Sequence, residues 1–366
     1  MSDPRFALWA RTLVNYSITN GVKPGDRVAI SGGTAAEPLL RAIYRATIDA
    51  GGFPVLTPSF SGLAADLLQY GDDDQIQFIS PVEEFARAQA DVLINVMAET
   101  NTKALSAIDP ARQSLLAKAR GGLLETMLRR DAAGELRWTL TLFPTDAYAQ
   151  DADMSTPDFT EFVLSACKLD TPDPTAAWRA QAAEQQRLID WLDGKRDIHL
   201  RGPETDLRLS VAGRTWVNAD GTKNFPDGEI FTGPVEDSVE GHVRFSFPVV
   251  TQGREIDDIR LRFEGGRVVD VSAAKNEEFL IRTLDTDPGA RVLGEFAFGT
   301  NFAIQRFSKN ILFDEKIGGT VHMAVGSGYP ETGNLHRSAV HWDMICDLRE
   351  GGSVDVDGQP FLRNGR

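Results

Sequence analysis

Short apolar runs alternate with stretches of helical periodicity through the first half of the chain and give way to period-two alternation in the second. Val28, Ala29 and Ile30 form one apolar run, and Gly32 and Gly33 follow. Leu39, Leu40, Ile43 and Tyr44 then recur at helical spacing until Gly51 and Gly52 stop the segment before Val55 and Leu56. This is the pattern of a βαβ unit. Residues 92–96 read as a buried strand, 112–130 as a helix and 138–143 as another strand. Strands that alternate with helices predict a mostly parallel sheet covered on both faces. Thr156 before Pro157 and Asp158 predicts a helix start, with Phe159, Phe162, Val163 and Ala166 as its apolar stripe. A further helix is predicted over 175–193, with Trp178, Leu188 and Leu192 inward and Gly194 as its stop.

From Asp197 onward, period-two runs are separated by glycine and proline. One hairpin is predicted from Ile259, Leu261 and Phe263 through Gly265-Gly266 to Val269 and Val271, and one helix over 276–284. The expected organisation is therefore an α/β domain with a mostly parallel sheet over 1–196. An α+β, β-rich domain follows over 197–366.

The length of 366 residues suits two domains with sizeable cores. A net charge of −15 disfavours nucleic acid and anionic membrane surfaces as partners. Cys167 and Cys346 lie too far apart in the sequence to suggest a disulfide framework or a cysteine zinc module, which fits a reducing cytosol. The opening residues lack the pattern of a secretory signal, and no apolar stretch reaches the roughly 18 residues of a membrane span. A cytoplasmic setting is expected, which makes the sequon at Asn15 a chance occurrence.

Three of the 5 histidines, His322, His336 and His341, crowd into one short region. In a strand, His322 and Ala324 share a face while Val321, Met323 and Val325 share the other. By the same alternation, His341 and Asp343 project together and Trp342, Met344 and Cys346 project away. An imidazole beside a carboxylate is a first-row metal pair, although a strand with its polar face in water has the same pattern. Glu229 in PDGEIFTGP, Glu295 in LGEFAFGTN and Glu315 in LFDEKIGGT are each set among glycine and apolar residues. A carboxylate in such a setting needs a partner. Lys316 and Arg306 make buried ion pairs the structural alternative. Together the three glutamates, two histidines and Asp343 offer enough oxygen and nitrogen donors for two divalent cations of the Zn, Co or Mn type.

At these residues the sequence resembles the aminopeptidase T family of metallopeptidases, which includes aminopeptidase S. The likeness runs through GGFPVL, RWTLTLFPTDAYAQDADMS, PDGEIFTGP, LGEFAFGTN, FDEKIGGTVHMAVGSGYPETG and SAVHWDMICD. It implies an exopeptidase, commonly a homodimer, that takes peptides with a free N-terminus and uses two divalent ions held by the C-terminal domain. On this likeness Glu229, Glu315, His322, His341 and Asp343 match metal ligands, and Glu295 matches the ligand shared by both ions. Tyr329 matches the tyrosine that assists catalysis, and the first domain is expected to shape substrate access and dimer contacts. Glu295 and Glu331 are both candidates to shuttle the proton. His336 is either a partner behind the ligands or a loop histidine, and His199 and His242 are expected to be structural.

Two other readings compete. One is a nucleotide-binding α/β enzyme, in which Ile30 to Thr34 at a βα turn cradles a phosphate, yet GGT lacks both the G-x-G-x-x-G fingerprint and the GKS/T of a P-loop. A non-catalytic, metal-stabilised scaffold of the same fold is the other, and a complete ligand set together with Tyr329 argues against it.

Overall fold

The computed structural model describes residues 3–251 and 254–366. They divide into two compact units, Met1–Thr175 with Gly221–Pro226, and Ala176–Asp220 with Asp227–Arg366. Sequence patterning placed a single change of character near residue 196. In the structure, most of the helix Pro174–Leu192 belongs to the second unit.

The predicted alternation builds the first unit. Strands β1 (Arg27–Gly33), β2 (Phe53–Ser59), β3 (Val92–Met97) and β4 (Arg137–Leu142) pair in parallel in the order β2-β1-β3-β4. A short strand that the pattern did not reveal, at Asn224–Phe225, extends this sheet beside β4. Helix Glu37–Asp49 buries Leu39, Leu40 and Ile43 as its spacing requires. Helix Pro110–Ala132 forms but buries none of its residues, so its periodicity marks a helix without marking a core face. Gly32 and Gly33 have a packing reason. A Cβ on either would lie 2.8 Å from a carbonyl oxygen, of Val96 and of Ala98 respectively.

The second unit is a β-sandwich with helices, built from the strands that follow β4. They are β5 (Asp197–Gly202), β6 (Thr205–Ser210), β7 (Val217–Ala219), β9 (Glu229–Thr232) and β10 (Glu240–Phe245), while β8 is the strand Asn224–Phe225 that belongs to the first unit's sheet. Next come β11 (Val249–Thr251), β12 (Arg254–Ile256), β13 (Ile259–Glu264), β14 (Arg267–Ser272), β15 (Leu293–Gly299) and β16 (Thr320–Gly326). The last are β17 (His341–Asp347), β18 (Ser353–Val356) and β19 (Gln359–Arg363). The larger sheet runs β14-β13-β10-β6-β5-β18-β19, and the smaller runs β17-β16-β15-β9-β7 with antiparallel pairing throughout. Ile198, Leu207, Val243, Leu261 and Val354 of the larger sheet share one core with Ile230, Phe296, Phe298, Val321, Met323, Trp342 and Met344 of the smaller. The smaller sheet therefore spends one face on the core, which leaves the opposite face to carry its polar residues.

Candidate metal centre

Strand register sets the order of the residues on that second face. Glu229 pairs with Gly299, Ala297 with His322, His322 with Ile345, and Ala324 with both Glu295 and Asp343. Side chains opposite one another across a ladder lie on the same face, so the small residues Ala297, Gly299 and Ala324 leave room among the larger polar ones. A register shift between Leu293 and Glu295 is essential here. Two residues apart in a regular strand, these side chains would share a face. The bulge at Gly294 instead lets Leu293 enter the core while Glu295 joins His322 and Asp343. Glu315 and Lys316 arrive from the segment after the helix Ile311–Asp314, which runs close to the end of β15. A Cβ on Gly299 would lie 2.2 Å from the Ile317 carbonyl oxygen, so only glycine admits that approach.

The predicted donors converge. His322 Nε2 lies 3.0 Å from Glu229 Oε2 and 3.7 Å from Glu295 Oε1. The other oxygen of Glu295 is 3.2 Å from His341 Nε2, which is also 3.5 Å from Asp343 Oδ2. Glu295 thus turns one oxygen to each imidazole. Donor atoms of Glu295, His341 and Asp343 all lie within 4.8 Å of one another, as do those of Glu315, His322 and Asp343. Glu229 Oε2 is buried and, although close to His322, has no aligned hydrogen bond. A buried carboxylate oxygen facing an imidazole nitrogen offers oxygen and nitrogen donors from two strands to one cation. His341 Nδ1 lies 2.8 Å from the Ser327 carbonyl, which fixes Nδ1 as the donor and turns Nε2 towards the carboxylates. The donor set of imidazole and carboxylate without thiolate fits a hard or borderline divalent ion.

Ion pairing, the structural alternative for the glutamates, is also present. Lys316 Nζ is 2.6 Å from Glu229 Oε1, bonds Glu315 Oε1 and lies 3.6 Å from Asp227 Oδ1. Its contacts take one oxygen of Glu229 and one of Glu315. Lys316 is the ion-pair partner that the sequence offered for these glutamates, whereas Asp227 was not singled out; its available signal was the acidic i, i+2 pair in PDGE. Arg306, the other cation considered, makes no ion pair with these carboxylates among the described residues.

Electrostatics tie the cluster together. Burial alone would raise Glu295, but His322 and His341 pull it down to about 2. Burial likewise opposes the charged form of His341, yet Glu295 and Asp343 hold it up to about 10, and Glu229 and Glu295 hold His322 well above its ordinary value. Glu315 is pushed up to about 8 by burial, against the pull of Lys316, with Glu229 and Asp343 adding to the rise. Asp343 is raised by burial and by Glu295, and Asp227 is pushed up to about 7 chiefly by burial. Such a cluster binds protons strongly because it carries more negative charge than its own cations balance.

Tyr329 Oη is 3.3 Å from His341 Nε2, and its ring meets those of Phe231 and His341 at centroid distances of 5.3 Å and 5.0 Å. Burial of the hydroxyl, followed by the charge of Glu295, raises the phenol above its ordinary value, so it keeps its proton at neutral pH. Glu331 is exposed on the turn Pro330–Thr332. His336 is turned to the Gly289 carbonyl at 2.9 Å. His199 pairs with Asp206 at 2.8 Å on the larger sheet, where His242 also lies opposite Asp206.

Comparison with known proteins gives the family and the fold. The model of the thermophilic metalloprotease (M29) family matches residues 2–366. Aminopeptidase T from Thermus aquaticus is 32% identical, over 72% of this chain and 73% of its own length. Aminopeptidase 2 from Geobacillus stearothermophilus is 28% identical, over 98% of each. Among solved structures, wild-type AmpT from Thermus thermophilus superimposes with a TM-score of 0.87 at 26% identity, covering 99% of this chain and 98% of that one. A dioxygenase acting on 2,5-dihydroxypyridine, from Pseudomonas putida KT2440, shares the fold at a TM-score of 0.63 and 15% identity.

Proposed function

The chain belongs to the thermophilic metalloprotease (M29) family, and from that premise we propose that it removes N-terminal residues from peptides with two divalent ions held on the smaller sheet of its second unit. It is a metal-dependent aminopeptidase, a hydrolase of the exopeptidase class. In this proposal Glu229, Glu295, Glu315, His322, His341 and Asp343 would hold the two ions, with Glu295 as the ligand the family likeness makes common to both. The observation that carries the reading is Glu295, whose two oxygens each face a different imidazole. Charge supports the count. With every carboxylate ionised and both imidazoles neutral, as ligands must be, Asp227, Glu229, Glu295, Glu315 and Asp343 exceed the one ammonium of Lys316 by four charges, which two divalent cations would match.

A divalent ion bound there supplies Lewis acidity towards the scissile carbonyl and towards water. The protein's own groups do the rest. Tyr329, protonated at neutral pH, donates a hydrogen bond to the oxyanion as the carbonyl becomes tetrahedral. Both oxygens of Glu295 are turned to imidazoles, which favours its ligand role over proton shuttling and leaves Glu331 as the other candidate. The α-amino group of a peptide has an ordinary pKa of about 7.7–8.0, so a neutral fraction is available to act as a ligand, which would select free N-termini. Zn, Co and Mn all suit the donor set. On the family likeness we place the protein in the cytoplasm as a homodimer, with the first unit shaping access. No helix among the described residues is long and apolar enough to cross a membrane.

The test is release of free amino acid from short peptides that are free or acetylated at the N-terminus, alongside elemental analysis of the protein. Release from free peptides only, lost on chelation, with two ions per chain, is expected. Equal cleavage of acetylated peptides would end the exopeptidase assignment, and a single ion at full activity would end the two-ion one.

A further inference from the structure

Lys316 is fully buried, with an exposure of 0%, and its ammonium contacts Glu229, Glu315 and Asp227. Among the described residues it is the one lysine or arginine in ion-pair contact with the five carboxylates of the cluster. We infer that Lys316 is a resident counter-cation, a positioning residue that keeps Glu229, Glu315 and Asp227 assembled in the metal-free chain and competes with an ion for the same carboxylates. The inference rests on the metal-site reading above and adds a role for a residue outside the ligand set.

A buried carboxylate without a partner is strongly destabilising, and here three face one another. The ammonium satisfies Glu229 and Glu315 through their Oε1 atoms and leaves Glu229 Oε2 turned to His322. The site is thus compensated in part before a metal arrives and after it leaves. Replacing Lys316 by Met keeps an unbranched side chain of similar length but removes the charge. The carboxylates then have only an incoming ion to balance them. The metal-free fold weakens more than the metal-loaded one, and by linkage the folded chain binds the ion more tightly.

The test compares wild type, Lys316→Met and Lys316→Arg as full-length protein. Each is melted in chelator and in saturating zinc, and its zinc Kd is measured by competition with a chromophoric chelator. In chelator, Lys316→Met should melt on the order of 10 °C below wild type. Zinc should close part of that gap, the zinc Kd should tighten about tenfold, and Lys316→Arg should follow wild type. Equal losses in chelator and in zinc, or a weakened Kd, would overturn the proposal. If Lys316→Met cannot be recovered without metal, the double variant Lys316→Met with Glu315→Gln removes one negative charge along with the positive one. It should fold in chelator, and its failure to do so would also overturn the proposal. A wild type that binds no zinc and releases no amino acid would end the aminopeptidase reading instead, whereas the three melts in chelator judge Lys316 without reference to metal.

Discussion

The two histidines at the heart of the cluster present the same ligand atom in unlike surroundings. His322 is 1% exposed, sits mid-strand between Glu229 and Glu295, and is backed by a carboxylate that Lys316 already neutralises in part. His341 begins its strand with its side chain 28% exposed, and its neighbours are Glu295, Asp343 and the hydroxyl of Tyr329. Burial makes the first half rigid and costly to leave uncompensated, whereas the second half is reachable from solvent and is backed by a neutral hydrogen-bond donor. On the proposed function, one half would serve retention of an ion and the other reaction. Glu295 faces both imidazoles, and Asp343 has donor atoms within 4.8 Å of those of Glu315 and His322 as well as those of Glu295 and His341, so both acids join the halves.

Breaking the comparison at a shared member should have the largest effect. Glu295→Ala removes the carboxylate that faces both imidazoles, and turnover should fall by more than about 10³-fold while ions are lost from both halves. Elemental analysis with peptide kinetics is the check, and two ions retained per chain would show that the halves are independent. Next in size is the open half alone. Tyr329→Phe deletes one hydroxyl and no ligand, so turnover should fall by about 10²–10³-fold with metal content unchanged. Undiminished turnover at full occupancy would remove Tyr329 from the chemistry and leave the open half distinguished by access alone.

Much of this contrast was legible in the sequence, for a definite reason. A strand has a period of two, so TVHMAVG and HWDMICD display which residues share a face, and the structure puts His322 with Ala324 and His341 with Asp343 as that period requires. The βαβ opening and the sheet-rich second half were readable on the same grounds. Convergence was not, because it depends on register between strands distant in sequence. Nothing in LGEFAFGTN announces that Gly294 carries a bulge, and without it Glu295 would share the core-facing side of Leu293. Lys316 stood beside Glu315 in the sequence, and its bond to Glu229, 87 residues earlier, needed the fold. The return of Asn224–Phe225 to the first sheet was hidden because a strand of 2 residues has no period to read.

The smallest expected effect marks where the open half ends. His336 lies between Tyr329 and His341 in the sequence and carries the same imidazole, so proximity alone would recruit it. Its ring is instead within hydrogen-bond reach of the Gly289 carbonyl at 2.9 Å, and its carbonyl accepts from the Gly328 amide at 3.1 Å. Nearby, Asp287 is bonded to the Ser338 hydroxyl and the Ala339 amide, fastening the same loop. These contacts hold the segment that carries Tyr329 without reaching the carboxylates. His336→Ala should therefore cost about 1 kcal/mol in stability, the worth of one partly exposed hydrogen bond, and leave turnover within roughly threefold of wild type. Urea denaturation together with steady-state kinetics separates the two readouts. A tenfold or greater fall in kcat with unaltered stability would extend the reacting half to a third histidine. The expected result confines it to the face where His341, Asp343 and Glu295 meet.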